Sequence, residues 1–295
     1  MKMLREVLDQ AEHDRVAIGH FNVSDLVALK AITEASQEVG VPVLVGVSEG
    51  EREFMGVRQI AALVASLRDS GQAIFLNADH THSIEKAEEA ARAGFDEVLF
   101  DGSALAFEEN AAQTKRAVEA VRSVRDEIVV EGEIGWIGAS SEIHAKAPEG
   151  LEKGLTTPEE ARQFVNATGV DVLAPAVGNM HGLLQSMVRG ESEKRLDIPR
   201  IRAIKEAARV FMTLHGGSGT NPKDLLEAIA AGMTIVHINT EVRLAWRRGL
   251  EEALAQDPNE VAPYKILPAS LRAVKEVVRA RLRLFASEGD QTAPM

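Results

Sequence analysis

QAIFLNADHTHSIEKAEEAARAGFDEVLFDG, residues 72–102, sets two short apolar runs around a segment of helical period. The runs QAIFLNADH (72–80) and EVLFDG (97–102) read as strands buried on both faces, and IEKAEEAARAG between them reads as a helix. The same unit recurs along the chain. VAIGHFNV (16–23), VPVLVGVS (41–48), EIVVEGEIG (127–135), DVLAPAVG (171–178), RVFMTLHGG (209–217) and TIVHINTE (234–241) are strand-like and alternate with helical segments such as DLVALKAITEASQEVG and FEENAAQTKRAVEAVRSV. Strands of this kind, separated by helices, imply a parallel sheet with right-handed crossovers, either open and doubly wound or closed. Eight of them within 295 residues favour an α/β fold of the (β/α)8 TIM-barrel type.

No Pro/Gly/Ser linker or shift in composition divides the chain, so one barrel domain is expected over residues 1–295, with a polar tail at about 287–295. ILPASLRAVKEVVRARLRLFA (266–286) reads as an extra amphipathic helix beyond the eight repeats. It suggests, by analogy, a homo-oligomer such as a dimer or tetramer. Two connections, 136–157 and 182–197, are long enough to be lids or binding loops.

Composition narrows the function. With 45 acidic against 33 basic residues the formal charge is −12, which disfavours nucleic acid and anionic membranes as partners, so an anionic small molecule must be captured locally. The absence of cysteine removes disulfides, thiolate metal sites and cysteine nucleophiles, and suits a reducing cytoplasm. No apolar run is long enough to span a bilayer, and the start lacks the apolar core of a signal peptide.

The residues at or just beyond the strand ends are Asn22, Ser48, Asp79 with His80, Asp101, Glu133, His181, His215, and Asn239 with Thr240. A barrel gathers these ends on one face, where active sites of this fold lie. Three of the eight histidines are among them, and Asp101 and Glu133 interrupt apolar segments where a carboxylate is costly unless paired or metal-bound. Imidazoles from three strands match the ligand set of a catalytic zinc ion, making His80, His181 and His215 the candidate ligands, with cobalt or iron as alternatives. Beyond His215, GGSGT supplies backbone N–H groups, then Asn221 as N-cap and Pro222 at the first helical position. Together with the INTE end of the eighth strand, this is the pattern of a barrel phosphate site.

NADH (77–80), FDGS (100–103), VEGEIG (130–135), DVLAPAVGNMHG (171–182), LHGGSGT (214–220) and INTE (238–241) together resemble the successive motifs of the class II, zinc-dependent fructose-bisphosphate aldolase family, which includes tagatose-bisphosphate aldolases. The resemblance covers nearly the whole chain. It implies reversible cleavage of a ketose bisphosphate to dihydroxyacetone phosphate and an aldehyde, which for fructose 1,6-bisphosphate is glyceraldehyde 3-phosphate. It makes His80, His181 and His215 the Zn2+ ligands, places Asp101 and Glu133 at a second or alternative metal position, and gives Asp79 the proton transfer at the aldehyde oxygen. Ser48, Gly182, Gly216, Gly217, Ser218, His237, Ile238, Asn239 and Thr240 fall where the family binds the ketose phosphate, with Asn22 as a further candidate. A second divalent ion and a monovalent cation remain open.

The chain also departs from the family pattern. Gly138-Ala139 replaces a Gly-Gly pair, and Ser140 and Ser141 stand where many members carry acids, leaving Glu142 as the candidate mobile base. Ile235 and His237 replace a lysine-containing pattern, and Gln185 stands near a further lysine position. Two other readings stay open at this point: a zinc enzyme of different reaction type, with Asp79 as general base, and a non-catalytic sugar-phosphate binder.

Overall fold

A computed structural model describes residues 2–138, 141–147, 150 and 154–287. In chain order it comprises α1 (Leu4–Asp14), β1 (Ile18–Asn22), α2 (Leu26–Val39), β2 (Val43–Val47), α3 (Glu49–Met55), α4 (Val57–Asp69), β3 (Ile74–Thr81), α5 (Ile84–Ala93), β4 (Glu97–Phe100), α6 (Phe107–Val124), β5 (Val129–Ile134) and β6 (Ile143–His144). The second half contributes α7 (Pro158–Thr168), β7 (Val172–Pro175), β8 (Leu183–Leu184), α8 (Gln185–Val188), α9 (Ile198–Ala208), β9 (Phe211–Leu214), α10 (Pro222–Ala230), β10 (Ile235–His237), α11 (Thr240–Gln256), α12 (Pro263–Ile266) and α13 (Pro268–Ala286). Eight parallel strands close into a barrel in the order β1-β10-β9-β7-β5-β4-β3-β2. Every strand expected from the sequence is present. The fold is a TIM barrel, with β6 and β8 forming a separate two-stranded pair above it.

Local chemistry explains the element boundaries. Asp25, Ser83 and Thr157 cap α2, α5 and α7 by accepting from the third backbone N–H of each helix, and Gly40, Gly94 and Gly169 end the same helices in the left-handed conformation. Asn221 caps α10 through Lys223 N and Asp224 N, with Pro222 opening the helix.

Two apolar layers hold the barrel. The larger lies between strands and outer helices; the smaller joins Leu4, Leu8 and Ala11 of α1 to the entering residues of seven strands, among them Ile18, Leu44, Phe75 and Ile235. Thus α1 plugs the end of the barrel where the strands begin and leaves the opposite mouth open. The extra C-terminal helix is α13, and it belongs to the barrel wall: it packs between α2 and α11 and buries Val274, Val278, Leu282 and Phe285. Among the described residues no helix is long and apolar enough to cross a membrane.

Leu8 is fully buried in the plug, whereas Leu254 on α11 is exposed. Leu8→Ala is expected to cost about 2–5 kcal/mol of unfolding free energy and Leu254→Ala less than about 0.5 kcal/mol. Equal shifts in denaturant midpoint for the two variants would contradict the plug.

Candidate active site

At the open mouth lies a cavity of about 340 Å3 whose wall includes Asn22, Asp79, His80, Glu133, His181 and Asn239. Beneath it, His80, Glu133, His181 and His215 each bring one potential ligand atom within 4.8 Å of the others. The three histidines singled out in the sequence converge from β3, from the connection after β7 and from the turn after β9.

Each is aimed by its backbone and by a second group. His80, next to last in β3, has φ of +41°, a left-handed conformation that costs a non-glycine residue energy, and the β3–β4 register shifts between Ala78 and Thr81. The buried guanidinium of Arg52 holds this kink. Its Nη1 donates to the carbonyls of Val47 (2.6 Å) and Asp79 (3.2 Å), and its Nη2 donates to Thr81 Oγ1 (2.9 Å). One nitrogen of each imidazole is engaged: His80 Nδ1 lies 2.7 Å from Asp101 Oδ2, His181 Nδ1 3.2 Å from Ser141 Oγ, and His215 Nε2 2.9 Å from Glu131 Oε1. Such partners fix tautomer and ring orientation and leave the other nitrogen for an ion. His215 Nδ1 and Glu133 Oε2, 3.9 Å apart, are buried without a hydrogen-bond partner. A cation between them would remove that cost, and three imidazoles with one carboxylate suit zinc or a similar ion.

Charge is distributed accordingly. Burial works against an imidazolium at His80, yet Asp79, Asp101 and Glu133 together raise it to about 10, so this acidic cluster draws positive charge. Burial, reinforced by the neighbouring histidines, lowers His181 and His215 and keeps them in the neutral form that ligates. Burial, then the Asp101 charge, raises Glu133 to about 7. Burial also works to raise Asp79, but His80, His20 and His215 outweigh it and hold Asp79 below the usual carboxylate range. Asn22 Nδ2 donates to Asp79 Oδ2 (2.8 Å) and to Glu51 Oε2 (2.7 Å), while Asp79 Oδ1 is buried and unpartnered.

Several expectations are altered. Asp101, read as a possible ligand of a second metal position, lies outside the four-residue group; it supports His80 and accepts from Ser103 N (3.0 Å) and Ser103 Oγ (2.7 Å). The glycine-rich turn is not a row of free donors. Gly217 N–H donates to His237 O (3.0 Å) and Gly219 N–H to Glu241 Oε1 (2.7 Å), because the turn packs against the start of α11. His237 is inside the barrel, stacked on His20 with ring centroids 3.4 Å apart and 3° between planes, and Ile238 is buried beside it. All four nitrogens of the stacked pair lack hydrogen-bond partners, and the pair with Asp79 forms another group of converging donors. Of the INTE segment, only Asn239 reaches the cavity wall.

Ser48 also lines the cavity, though its Oγ donates to Glu51 Oε2 (2.9 Å). Gly216 and Gly182 have φ of +61° and +74°, and a Cβ on either would collide with a neighbouring carbonyl oxygen, Met180 O and Glu142 O respectively. Ser218 and Thr240 are buried beside the turn. Glu142 is exposed on the loop after β5, outside the cavity wall, and its carbonyl accepts from Leu183 N (2.9 Å) where β6 pairs with β8. Ala139, Ser140 and Lys153 lie outside the described residues.

Sequence reasoning passed over Glu131, Arg52 and Glu51. Glu131 carried a signal: it precedes Glu133 by two in an apolar strand, so both acids point into the barrel. Arg52 and Glu51 look like ordinary surface residues of a helix, and only their hydrogen bonds reveal them.

Residues 2–290 match the family model described as fructose-bisphosphate aldolase class-II. A fructose-bisphosphate aldolase of Thermus caldophilus is 33% identical, covering 96% of this chain and 97% of that protein. One from Geobacillus stearothermophilus is 32% identical, with 97% of each covered. The crystal structure of the YdjI aldolase from Escherichia coli K12 superposes with a TM-score of 0.78 at 26% identity over 98% of both chains.

The geometry gives two tests of cation binding. Below pH about 7 both His80 (about 10) and Glu133 (about 7) carry protons that an incoming cation must displace; between these values only His80 does. Affinity for Zn2+ is therefore expected to rise roughly a hundredfold per pH unit below 7 and roughly tenfold per unit above it, read by competition with a chromophoric chelator. Glu131→Gln is expected to weaken Zn2+ binding roughly 10–100-fold. An unchanged affinity would show that Glu131 does not orient His215.

Proposed function

The chain belongs to the class-II fructose-bisphosphate aldolase family, and on that premise we propose that it reversibly cleaves a ketose bisphosphate, fructose 1,6-bisphosphate, to dihydroxyacetone phosphate and glyceraldehyde 3-phosphate. The convergence of His80, His181, His215 and Glu133 carries this reading. These four would hold a divalent ion, taken as Zn2+. Bound there, the ion would supply the Lewis acidity that offsets the negative charge left on the three-carbon ketone when the C3–C4 bond breaks.

The remaining work falls to side chains of this protein. Asp79, held ionised and anchored through Oδ2 by Asn22, presents its unpartnered Oδ1 to the C4 hydroxyl of the substrate. In cleavage it takes that proton as the aldehyde forms, and in condensation it returns it. Glu142 is assigned the exchange of the triose phosphate carbon-bound proton; its exposed place on the loop after β5 requires that loop to shift toward the cavity. Asn22, Ser48, Asn239 and Arg243 line the cavity and are assigned to orient the sugar phosphate, with Gly182 and the Gly216–Ser218 turn shaping the phosphate end. A Schiff-base route has no support among the described residues, none of whose lysines lines the cavity. The lack of cysteine supports a cytoplasmic setting.

A coupled assay with fructose and tagatose 1,6-bisphosphates tests the reading. Activity is expected to vanish on chelation and return with Zn2+, and Asp79→Ala is expected to lower kcat roughly 10²–10⁴-fold. Glu142→Ala is expected to slow proton exchange at the triose phosphate carbon. Cleavage that survives both chelation and His181→Ala would overturn the proposal.

A further inference from the structure

Lys194 lies in the connection between α8 and α9, with no strand-end motif to mark it, yet it is buried and occupies a special position. Its Nζ donates to the carbonyl oxygens of Met180 (2.7 Å), Gly182 (2.7 Å) and Gly216 (2.8 Å). Those carbonyls flank His181 on both sides and follow His215 directly. Among the described residues no carboxylate forms an ion pair with Nζ, so the charge is met directly by three carbonyl dipoles, with the more distant Glu241 carboxylate adding a favourable field. The main chain is fixed too: Lys194 N donates to Gly219 O (2.8 Å), and Lys194 O accepts from Asn221 N (3.1 Å).

A cage of backbone carbonyls around one positive charge is the ligand chemistry of an alkali cation, which binds hard neutral oxygens. The two loops can approach closely enough to make it because residue 216 has no Cβ to strike Met180 O. We propose that the Lys194 ammonium is a tethered monovalent cation: it fills a carbonyl cage between the loops bearing His181 and His215, makes the protein independent of free K+ or Na+, and leaves a cation-binding cage when truncated. Burial pushes the Lys194 amine down to about 7, but three carbonyl acceptors are satisfied together only by the three N–H groups of the charged form. Lys194 is thus a positioning residue. It acts by fixing the backbone on either side of the ligand rings, and its charge also disfavours protonation of His181.

The inference rests on the proposed function only for its catalytic consequence, and its main readout needs no substrate. Wild type, Lys194→Ala and Lys194→Met are melted and assayed in choline chloride, NaCl and KCl at equal ionic strength. Wild type is expected to show the same melting temperature and the same fructose 1,6-bisphosphate cleavage in all three salts. Lys194→Ala in choline is expected to melt roughly 6–12 °C lower. K+ or Na+ should restore most of that loss with a saturable dependence and lower the KM in parallel. Lys194→Met fills the same channel without charge, so it should be destabilised and gain nothing from either ion. A wild type activated or stabilised by K+ over choline would overturn the proposal. So would a folded Lys194→Ala protein that responds to K+ no more than to choline. If Lys194→Ala does not fold, the salt series on wild type still decides. Cation rescue of melting without detectable cleavage would instead count against the aldolase reading and leave the cage intact.

Discussion

An imidazole can give one nitrogen to an ion in a fixed direction only when the other is held, and the mouth of this barrel is organised around that requirement. Asp101, Ser141 and Glu131 each take one nitrogen of His80, His181 and His215. Strands β3, β4, β5 and β9 and the connections after β5 and β7 must keep their mutual registers for those pairs to exist. The consequence runs inward. Glu131 accepts from Thr213 (3.0 Å) as well as contacting His215, and burial raises it to about 8; its neighbour Glu97, also fully buried, is raised by burial and by Glu131. A barrel interior of this fold is usually apolar, and here its upper layer is acids, amides and imidazoles. That layer contributes little to stability, because each polar atom must be satisfied after leaving water. The apolar plug beneath and the helix–strand layer outside carry that task.

The fold was legible because it depends on period and repetition. Eight apolar runs between helical segments permit few topologies, and all eight appear within a few residues of their expected places. The ligand histidines were legible because strand ends in a barrel must converge, whatever their separation along the chain. Glu133 was visible as an acid in an apolar run, and Asp79 through its place beside His80.

Less visible was whatever depends on a particular hydrogen bond or backbone angle. His80 sits at φ +41°, and nothing in NADH announces that. The glycines after His215 promised open donors, but Glu241 and the His237 carbonyl take two of them. His237 stands near a strand end in the sequence, yet its side chain points inward and stacks on His20, since neighbouring positions on a strand face opposite sides. Arg52 and Lys194 are cations whose types normally mark surface, and their burial follows from carbonyl groups that only the folded backbone assembles.

The plug at the closed end bears on the order of assembly. Leu4, Leu8 and Ala11 precede every strand of the barrel in the chain, but the surface they cover includes residues as far along as Phe211 and Ile235. The helix α1 therefore has no complete seat until β10 has been made. Contacts of such long sequence separation form slowly, and until then the apolar face of α1 and the open lower rim of the strands are both exposed to other chains. That exposure ends when α1 docks against a rim completed by β9 and β10.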